Sequence, residues 1–333
     1  MRAPHKLNEG SAPDAEPDQG VNNMKMSIKT LLGALAGLAL LASAPAHAAR
    51  IVVITHGQAS DAFWSVVKKG VDDAGALMGV EVQYQAPQTF DMVAMKQLID
   101  AAIASQPDGL VVSIPDAEAL GDSIRAAVSA GIPVISMDSG LEVSKQLGAL
   151  LHMGIDEYPS GFAAGIKMKE LGKTNGACVN MEVGNVALDL RCQGFADALD
   201  GKSQVIATSN DPTEIRAGVT GYLQQHPEVD AVLTAGATAF DPALAAIEEA
   251  GLADQAEIGS FDLSPSMLQA IDEGRALFGI DAQQYLTGYY PVIFLAVYDK
   301  YGMAPTNDVL TGPLFVMQDS AAMVIELSKQ GYR

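Results

Sequence analysis

The sequence predicts an α/β protein of two similar lobes, each a doubly wound parallel sheet with helices on both faces. First, short apolar runs alternate with amphipathic helical patterns from Arg50 onward, as in successive βαβ units. Second, residues 51–54 are apolar at every position, which is typical of a parallel strand covered on both sides. Third, the alternation produces more strands than one ordinary open sheet contains, which favours two lobes.

The individual elements follow from this alternation. In the first helix, apolar residues recur at steps of three and four, at Phe63, Val67, Val71 and Ala74, and Gly79 ends the pattern. The first series has predicted strands at 51–54, 80–84, 109–114 and 133–137 and helices at 63–78, 91–105 and 117–130. The second has strands near 149–153, 177–181, 205–208, 231–234, 257–261 and 276–280, with helices near 156–171, 189–200, 213–225, 241–250 and 265–272.

The charge of the chain excludes several classes of partner. The 333 residues include 20 basic and 40 acidic side chains, for a net charge of −20. Nucleic-acid binding needs clustered Lys and Arg, and an anionic membrane surface attracts basic segments, so we expect neither partner. The two cysteines are too few for a disulfide-dense scaffold or a four-cysteine zinc site.

The first 48 residues have the pattern of an upstream extension followed by a secretory signal peptide. Lys25 and Lys29 precede an apolar run over 31–41, and Ala46 and Ala48 supply the small residues that a signal peptidase recognises. We expect cleavage after Ala48, with Met24 or Met26 as the true start. The alternative is a buried N-terminal helix. The run is too short to remain as a membrane span, so we expect an exported product without stable membrane insertion.

The motifs of common catalytic sites are absent from the sequence. It contains no Gly-x-Ser-x-Gly, no Walker-type phosphate loop and no His-Glu-x-x-His. The segment 55–60 after the first strand contains a single glycine, which excludes a dinucleotide fingerprint. Paired carboxylates could also belong to a glycosidase, but this requires a facing pair with one raised pKa, which sequence cannot show. We therefore expect no enzyme activity, no cofactor and no metal.

Polar residues that follow the strands form the candidate site, because ligands of open parallel sheets bind beyond the carboxyl ends of the strands. Carboxylates and an arginine suit a neutral polyhydroxylated ligand, since each hydroxyl both donates and accepts. The rings of Phe63 and Trp64 would contact its apolar faces. In the first lobe the candidates are His56, Asp61, Phe63, Trp64, Asp138 and Ser139. In the second they are Asp189, Arg191, Thr238, Asp262 and Asp281.

Several of these residues also fit a purely structural role. Asp61 and Asp189 stand at helix starts and could be caps. Phe63 fits the apolar stripe of its helix and could be core, and a histidine at a strand end such as His56 is often structural. Trp64 falls beside the stripe, which favours a ligand role.

Cys178 and Cys192 lie in a predicted strand and at the start of the following helix. A strand end and the next helix can approach closely, and export favours oxidation, so we expect a disulfide. Two buried thiols are the alternative.

Five segments resemble the type I periplasmic substrate-binding proteins of bacterial sugar ABC transporters, in the ribose- and galactose-binding branch. The resemblance extends over residues 49–333, and its specificity comes from the order and spacing of the segments. These segments are Ser-Asp-Ala-Phe-Trp at 60–64, Gly-Ile-Pro-Val-Ile-Ser-Met-Asp-Ser at 131–139, Arg-Cys-Gln-Gly-Phe at 191–195, Gly-Ser-Phe-Asp at 259–262 and Ile-Asp-Ala-Gln-Gln-Tyr at 280–285.

The resemblance implies roles for particular positions. Phe63 and Trp64 would stack on a sugar ring, and Asp138 and Asp262 match ligand-binding carboxylates of the two lobes. Gln283 lies near a glutamine close to the hinge of the family. Asp61 stands where the family often has asparagine.

Three positions depart from the ribose-binding pattern and argue against ribose itself. Asp189 and Ser139 stand where ribose binders have arginines, and Gly236 replaces an asparagine. A polyol, another pentose or hexose, or a cationic amino sugar would fit the more acidic pocket.

The resemblance also implies an architecture with three crossovers, near 153–156, 281–284 and 310–313. The N-terminal lobe would comprise 49–154 and 283–311, and the C-terminal lobe 155–282 and 312–333. Closure of such a hinge on a ligand in the periplasm would present a combined surface to an ABC permease. We expect a monomer.

Three other functions use the same fold. A periplasmic sensor that presents its ligand to a chemoreceptor or kinase would share the pocket. A lactose-repressor-type regulator needs a helix-turn-helix and a basic surface, which this acidic chain lacks. An enzyme is the remaining alternative.

Overall fold

The computed structural model describes residues 48–57 and 60–333, which form two lobes of α/β structure around two six-stranded sheets. The expected leader lies outside the described residues, apart from Ala48 itself. The described strands are β1 (Arg50–Ile54), β2 (Glu81–Gln85), β3 (Gly109–Val112), β4 (Val134–Met137), β5 (His152–Gly154), β6 (Gly176–Asn180), β7 (Ser203–Ala207), β8 (Ala231–Thr234), β9 (Glu257–Phe261), β10 (Phe278–Asp281), β11 (Val309–Leu310) and β12 (Leu314–Val316).

Helices connect the strands in both lobes. The described α-helices are α1 (Ala62–Met78), α2 (Met92–Ala104), α3 (Ala117–Ser129), α4 (Leu141–Ser144), α5 (Glu157–Glu170), α6 (Val186–Ala198), α7 (Pro212–Gln225), α8 (Phe240–Glu249), α9 (Pro265–Asp272), α10 (Gln284–Tyr301) and α11 (Gln318–Ser328). Asp61, Asp91, Asp116 and Asp211 cap α1, α2, α3 and α7 by accepting backbone N–H bonds.

The two sheets repeat one strand order. The first runs β11-β5-β4-β3-β1-β2 and is parallel throughout. The second runs β12-β10-β9-β8-β6-β7, with only its edge strand β12 antiparallel to its neighbour. The predicted fold class, two doubly wound parallel-sheet lobes, is therefore confirmed. In both sheets the order reverses direction beside the first strand of the lobe, which is where open α/β sheets bind ligands.

The chain passes between the lobes at three connections. After β5 it enters α5, which packs against α6 beside the second sheet. After β10 it returns through α10, which packs against α1 beside the first sheet. The third connection is the short segment between β11 and β12, which belong to different sheets.

Glycines allow the same close helix contact in both lobes. A Cβ at Gly70 of α1 or Gly288 of α10 would overlap the backbone of the other helix. Gly161 of α5 and Gly194 of α6 form the corresponding pair. These helices pack backbone against backbone, which places the N-termini of α1 and α6 beside the cleft between the lobes.

The sequence patterns did not predict α10 and α11. Of the described helices α10 is the longest, at 18 residues, and it contains Pro291. Apolar and aromatic residues are distributed around it rather than in one stripe, so the three- and four-residue periodicity that marks an amphipathic helix is weak. It packs along α1.

A disulfide joins Cys178 of β6 to Cys192 of α6, with the Cα atoms 5.6 Å apart. Closing a loop of this length stabilises a fold by about 3 kcal/mol in the chain-entropy account. The helix begins earlier than the sequence predicted, so Cys192 lies in the middle of α6, and the bond fixes that part of the helix to the sheet next to Arg191.

Candidate ligand-binding site

A cavity between the lobes contains about 380 Å³ of empty space, its open mouth included. It brings together eight of the twelve residues that the sequence predicted for ligand binding, namely His56, Asp61, Phe63, Trp64, Asp138, Arg191, Thr238 and Asp262. Met181, Glu182, Leu188, Ala235, Gly236 and Ala237 complete the lining. An adjoining pocket at its mouth includes Phe90 from the first lobe and Asn210 from the second.

The N-terminus of α1 supplies three of the lining side chains. Oδ1 of Asp61 accepts hydrogen bonds from the backbone N–H of Phe63 at 2.8 Å and of Trp64 at 3.4 Å. Asp61 is therefore both a helix cap and a residue of the cavity. Burial raises the pKa of Asp61, while the two backbone hydrogen bonds oppose that change.

Phe63 and Trp64 form an apolar wall of the cavity. Their side chains are 7% and 5% exposed, and the ring centroids lie 4.9 Å apart in an edge-to-face contact. Gly57 makes room for the indole, because a Cβ at that position would overlap the Trp64 ring. The wall offers apolar ring surface to a ligand beside the polar groups described next.

His56 follows β1 and is held by Ser113. The Ser113 hydroxyl accepts the backbone N–H of His56 at 3.0 Å and lies 2.9 Å from Nδ1. Because carboxylate oxygens face Nε2, we assign the tautomer with the proton on Nε2, in which Nδ1 accepts the Ser113 hydroxyl proton. Burial lowers the pKa of His56 to about 4, so the ring is neutral at neutral pH.

Nε2 of His56 faces carboxylates of both lobes. It lies 3.5 Å from Oε2 of Glu182 in the second lobe and 4.0 Å from Oδ2 of Asp138 in the first. The ring also contacts Trp64 edge-to-face, with centroids 4.9 Å apart. His56 thus joins the aromatic wall to the acidic part of the cavity.

Asp138 and Asp262 occupy corresponding positions in the two lobes. Each directly follows a strand, β4 or β9, and adopts a left-handed backbone conformation, with φ of 61° and 62°. Aspartate tolerates this conformation better than most residues. Burial raises the pKa of both carboxyl groups.

Arg191 is held by two carboxylates. Its Nε donates to Oε2 of Glu157 at 2.5 Å, and Nη2 donates to Oε1 of the same residue at 3.3 Å. Nη1 donates to Oδ2 of Asp262 at 2.9 Å and to the Ala235 carbonyl at 2.8 Å. Burial alone would lower the pKa of Arg191, but Asp262 and Glu157 raise it, so the guanidinium stays charged.

Sequence reasoning missed Glu157 and Glu182. Glu157 begins α5, where acidic residues are common for helix-dipole reasons, and only the packing of α5 on α6 buries it against Arg191. Glu182 lies just beyond β6, so it meets the same strand-end criterion as Asp138. It accepts hydrogen bonds from Asn185 at 2.8 Å and Asn210 at 3.4 Å, and burial raises its pKa.

Four predicted residues lie outside the cavity lining. Ser139 donates its hydroxyl proton to Oδ2 of Asp138 at 3.0 Å and thereby supports a lining residue. Asp189 is exposed in the first turn of α6, where it accepts a hydrogen bond from Asn180 at 2.8 Å. Its helix begins at Val186, earlier than the sequence predicted, and Asp189 is not among the residues that line the cavity.

Asp281 and Gln283 lie at the connection from β10 to α10. Asp281 accepts the backbone N–H of Gln283 at 2.6 Å and forms an ion pair with Arg333. The Gln283 side chain donates to the Thr311 carbonyl, in the segment that joins β11 to β12. Gln283 therefore ties two of the connections between lobes together, while Asp281 holds the backbone of Gln283 and pairs with the C-terminal residue. Thr238 lies exposed at the mouth and donates to Asn210 at 3.0 Å.

One carboxylate oxygen in the cavity has no partner. Asp262 is 6% exposed, and its Oδ1 is buried without a hydrogen bond from any residue of 48–57 and 60–333. A buried acceptor without a donor costs free energy, so this atom is suited to accept a hydrogen bond from a ligand.

In the described part of the chain, no group of three or more His, Cys, Asp or Glu side chains is arranged to hold a metal ion. No described helix combines the length and apolar character that crossing a membrane requires.

Comparison with known proteins identifies similar sequences and structures. Residues 51–298 match a family profile described as "Periplasmic binding protein domain". A carbohydrate transporter protein of Acidothermus cellulolyticus, solved in complex with myo-inositol, is 33% identical, with a TM-score of 0.82 over 86% of this chain and 100% of that one. A periplasmic sugar-binding protein of Legionella pneumophila is 26% identical, with a TM-score of 0.75 over 79% and 99%. The ribose import binding protein of Bacillus subtilis is 25% identical over 80% of this chain and 84% of its own.

Proposed function

This chain belongs to the periplasmic binding protein family, and from that membership we propose that its cleft captures a monosaccharide or sugar alcohol for delivery to an ABC importer. It is a solute-binding protein and not an enzyme, because the family binds solutes without transforming them. The sensor alternative has no observation in its favour.

The main support for the proposal is that side chains from both lobes line one cavity. Asp138 and Asp262 present carboxylates from corresponding strand ends, and Phe63 and Trp64 present ring surfaces beside them. A sugar or cyclitol has hydroxyls around its edge and C–H bonds on its faces. Carboxylates accept the hydroxyl protons, while aromatic rings cover the apolar faces.

The ligand class is a small hydroxylated ring. The solved structure with myo-inositol shares 33% of its sequence with this chain, and the acceptor-rich cavity suits a ligand whose hydroxyls act as donors. We assign direct ligand contact to His56, Asp61, Phe63, Trp64, Asp138, Glu182, Arg191 and Asp262, and a place at the mouth to Thr238. Ser139, Asp281 and Gln283 support the site indirectly.

The two lobes close as units about the three connections. We assign residues 49–154 and 283–311 to the N-terminal lobe and 155–282 and 312–333 to the C-terminal lobe. The sheet membership of the strands and the packing of α5 on α6 and α10 on α1 support these limits. Closure brings Asp138 and Asp262 to one ligand and excludes water, which strengthens their hydrogen bonds.

The mature protein acts in the periplasm as a monomer. The apolar run at 31–41 and the small residues before Arg50 support export with cleavage after Ala48. The partner is an ABC permease that recognises the closed form, so that the permease contacts only occupied protein.

A thermal-shift screen tests this function. Ribose, allose, xylose, arabinose, galactose, xylitol, myo-inositol and 2-amino-2-deoxyglucose are added separately to purified residues 49–333, and hits are confirmed by calorimetry. Binding stabilises the folded state by mass action, so a true ligand raises the melting temperature in proportion to the logarithm of its concentration. Asp262→Ala abolishes the shift, while Glu273→Gln, an exposed change on the second lobe, keeps it. No shift with any neutral sugar, polyol or amino sugar would refute the function.

A further inference from the structure

The cavity contains more negative than positive charge. Four carboxylates line it, those of Asp61, Asp138, Glu182 and Asp262, whereas Arg191 is the only lysine or arginine among the lining residues. His56 adds no positive charge at neutral pH, because burial holds its pKa near 4. Burial raises the pKa of all four carboxyl groups, so their charged forms lack stabilisation in a space where one positive side chain is present.

Four of the five N–H groups of the Arg191 guanidinium already donate to protein acceptors. Glu157, behind the lining, takes Nε and Nη2, and Asp262 shares Nη1 with the Ala235 carbonyl. Within residues 48–57 and 60–333, no lysine or arginine forms an ion pair with Asp61, Asp138 or Glu182. Arg191 lowers the pKa of Asp138 and Glu182 without contacting them. Buried carboxylates without an ion-pair partner are costly, so a closed cavity of this kind favours an occupant with positive charge.

A second observation, independent of net charge, indicates that the ligand supplies a hydrogen-bond donor. Oδ1 of Asp262 is buried without a hydrogen bond, although Oδ2 of the same side chain is bonded to Arg191. The acceptor capacity of the cavity therefore exceeds the donors that the described residues supply. The rings of Phe63 and Trp64 add a second attraction for a cation, through their negative faces.

We infer that the cleft selects a ligand that carries an ammonium group beside its hydroxyls, an aminated sugar or aminated cyclitol, and holds that group among the carboxylates of Asp61, Glu182 and Asp262. This inference rests on the proposed function and narrows its ligand class. An ammonium group donates three hydrogen bonds and brings one positive charge, whereas a hydroxyl donates one and brings none. A ligand with a carboxylate or phosphate is rejected by the same charges.

Closure adds to this selectivity. Asp61 and Asp138 belong to the first lobe, and Glu182 and Asp262 belong to the second, so closing the cleft brings like charges together. Burial is the main cause that raises the pKa of Asp262, and Arg191 opposes it; the negative charges of Asp61, from the other lobe, and of Glu182 add to the rise. An ammonium group between the lobes converts this repulsion into attraction, so the closed form gains most from a cationic ligand.

Calorimetry on matched ligand pairs tests the inference. The pairs are glucose with 2-amino-2-deoxyglucose, galactose with 2-amino-2-deoxygalactose, and myo-inositol with an aminodeoxyinositol, with N-acetylglucosamine and glucuronate as uncharged and anionic controls. We expect at least one amine to bind about tenfold or more tighter than its neutral partner, a difference of about 1.4 kcal/mol. The advantage shrinks as salt is added, and glucuronate does not bind.

Variants separate the charge effect from shape. Glu182→Gln keeps the size of the side chain and removes its charge, so the ratio of amine to neutral affinity falls. Glu273→Gln on the exposed surface of the second lobe is the matched control and keeps the ratio. If every neutral ligand binds as tightly as its amine or more tightly, the inference is overturned while the proposed function stands. If neither class binds, the proposed function fails first.

Discussion

Asp138 and Asp262 are structural counterparts across the cleft: each ends the fourth strand of its lobe with φ near 60° and still pairs its backbone N–H with the neighbouring strand. Asp138 donates to the Met153 carbonyl at 2.8 Å, and Asp262 donates to the Ile280 carbonyl at 2.9 Å. Because the backbone at these two residues is left-handed, their side chains do not follow the alternation of a strand between the two faces of the sheet. Both side chains line the cavity instead. The site is therefore assembled from equivalent positions of two similar lobes.

The first prediction concerns Asp138. Replacing Asp138 by Ala removes a carboxylate that accepts ligand hydrogen bonds in a closed cleft, and should weaken ligand binding by about 2–4 kcal/mol. Isothermal calorimetry measures the change. Asp122→Ala, at a solvent-exposed position of α3, is the control and should bind like the parent protein. Unchanged affinity in Asp138→Ala would mean that this carboxylate only serves the local structure.

The second prediction uses Trp64, the single tryptophan of the sequence. Its indole lines the cavity 4.9 Å from the His56 ring, so a ligand that covers it should change the emission wavelength or intensity. Fluorescence titration should reproduce the dissociation constant from calorimetry, and Trp64→Phe should lose the signal. Binding by calorimetry with no change in emission would place the ligand away from this ring.

The third prediction concerns the buried ion network of Arg191. Replacing Arg191 by Met leaves the carboxylates of Glu157 and Asp262 buried without their cation, which should destabilise the fold by about 3–5 kcal/mol. Urea denaturation followed by circular dichroism measures the free energy of unfolding. Arg125→Met removes an exposed arginine of α3 and should change stability by less than about 0.5 kcal/mol. Similar effects of the two changes would show that the network contributes little.

The fourth prediction is a pH dependence that arises from His152. Burial lowers its pKa to about 4, and Asp308 and the Asp138 backbone only partly oppose this. In the unfolded chain the pKa of His152 is near 6.5, so above this pH the ring is neutral in both states and burying it carries no cost of removing a proton. As the pH falls from about 6.5 to about 4, the unfolded chain binds a proton that the folded protein does not, and the fold loses stability.

A variant isolates this contribution. His152→Asn removes the titration and keeps a polar group where Nδ1 faces the Ser136 hydroxyl at 2.9 Å. Melting temperatures between pH 7 and pH 4 should therefore fall less steeply in the variant than in the parent protein. Parallel curves would show that His152 does not titrate differently in the folded state.

The sequence identified the site residues that can be recognised from their neighbours in the chain. Asp138 and Asp262 end apolar strands, and Asp61 begins an amphipathic helix, so the pattern of neighbouring residues was enough to single them out. The same criterion also selected Asp281, which ends a strand but faces a connection between lobes and pairs with Arg333. The position at a strand end cannot distinguish a carboxylate in the cavity from one at a connection between lobes, because the difference depends on where the chain goes after the strand.

By itself the sequence determined the alternation of strands and helices, the two-lobed α/β class and the strand-end carboxylates, because periodicity and capping depend on residues close together in the chain. Only the tertiary structure decided that Glu157 is buried against Arg191, that Glu182 faces His56 across the cleft, and that Gln283 binds the segment between β11 and β12. These contacts join residues far apart in the chain. The pKa shifts of the buried charged groups depend on these contacts, and the contacts form only when the chain has folded into two lobes joined by three connections.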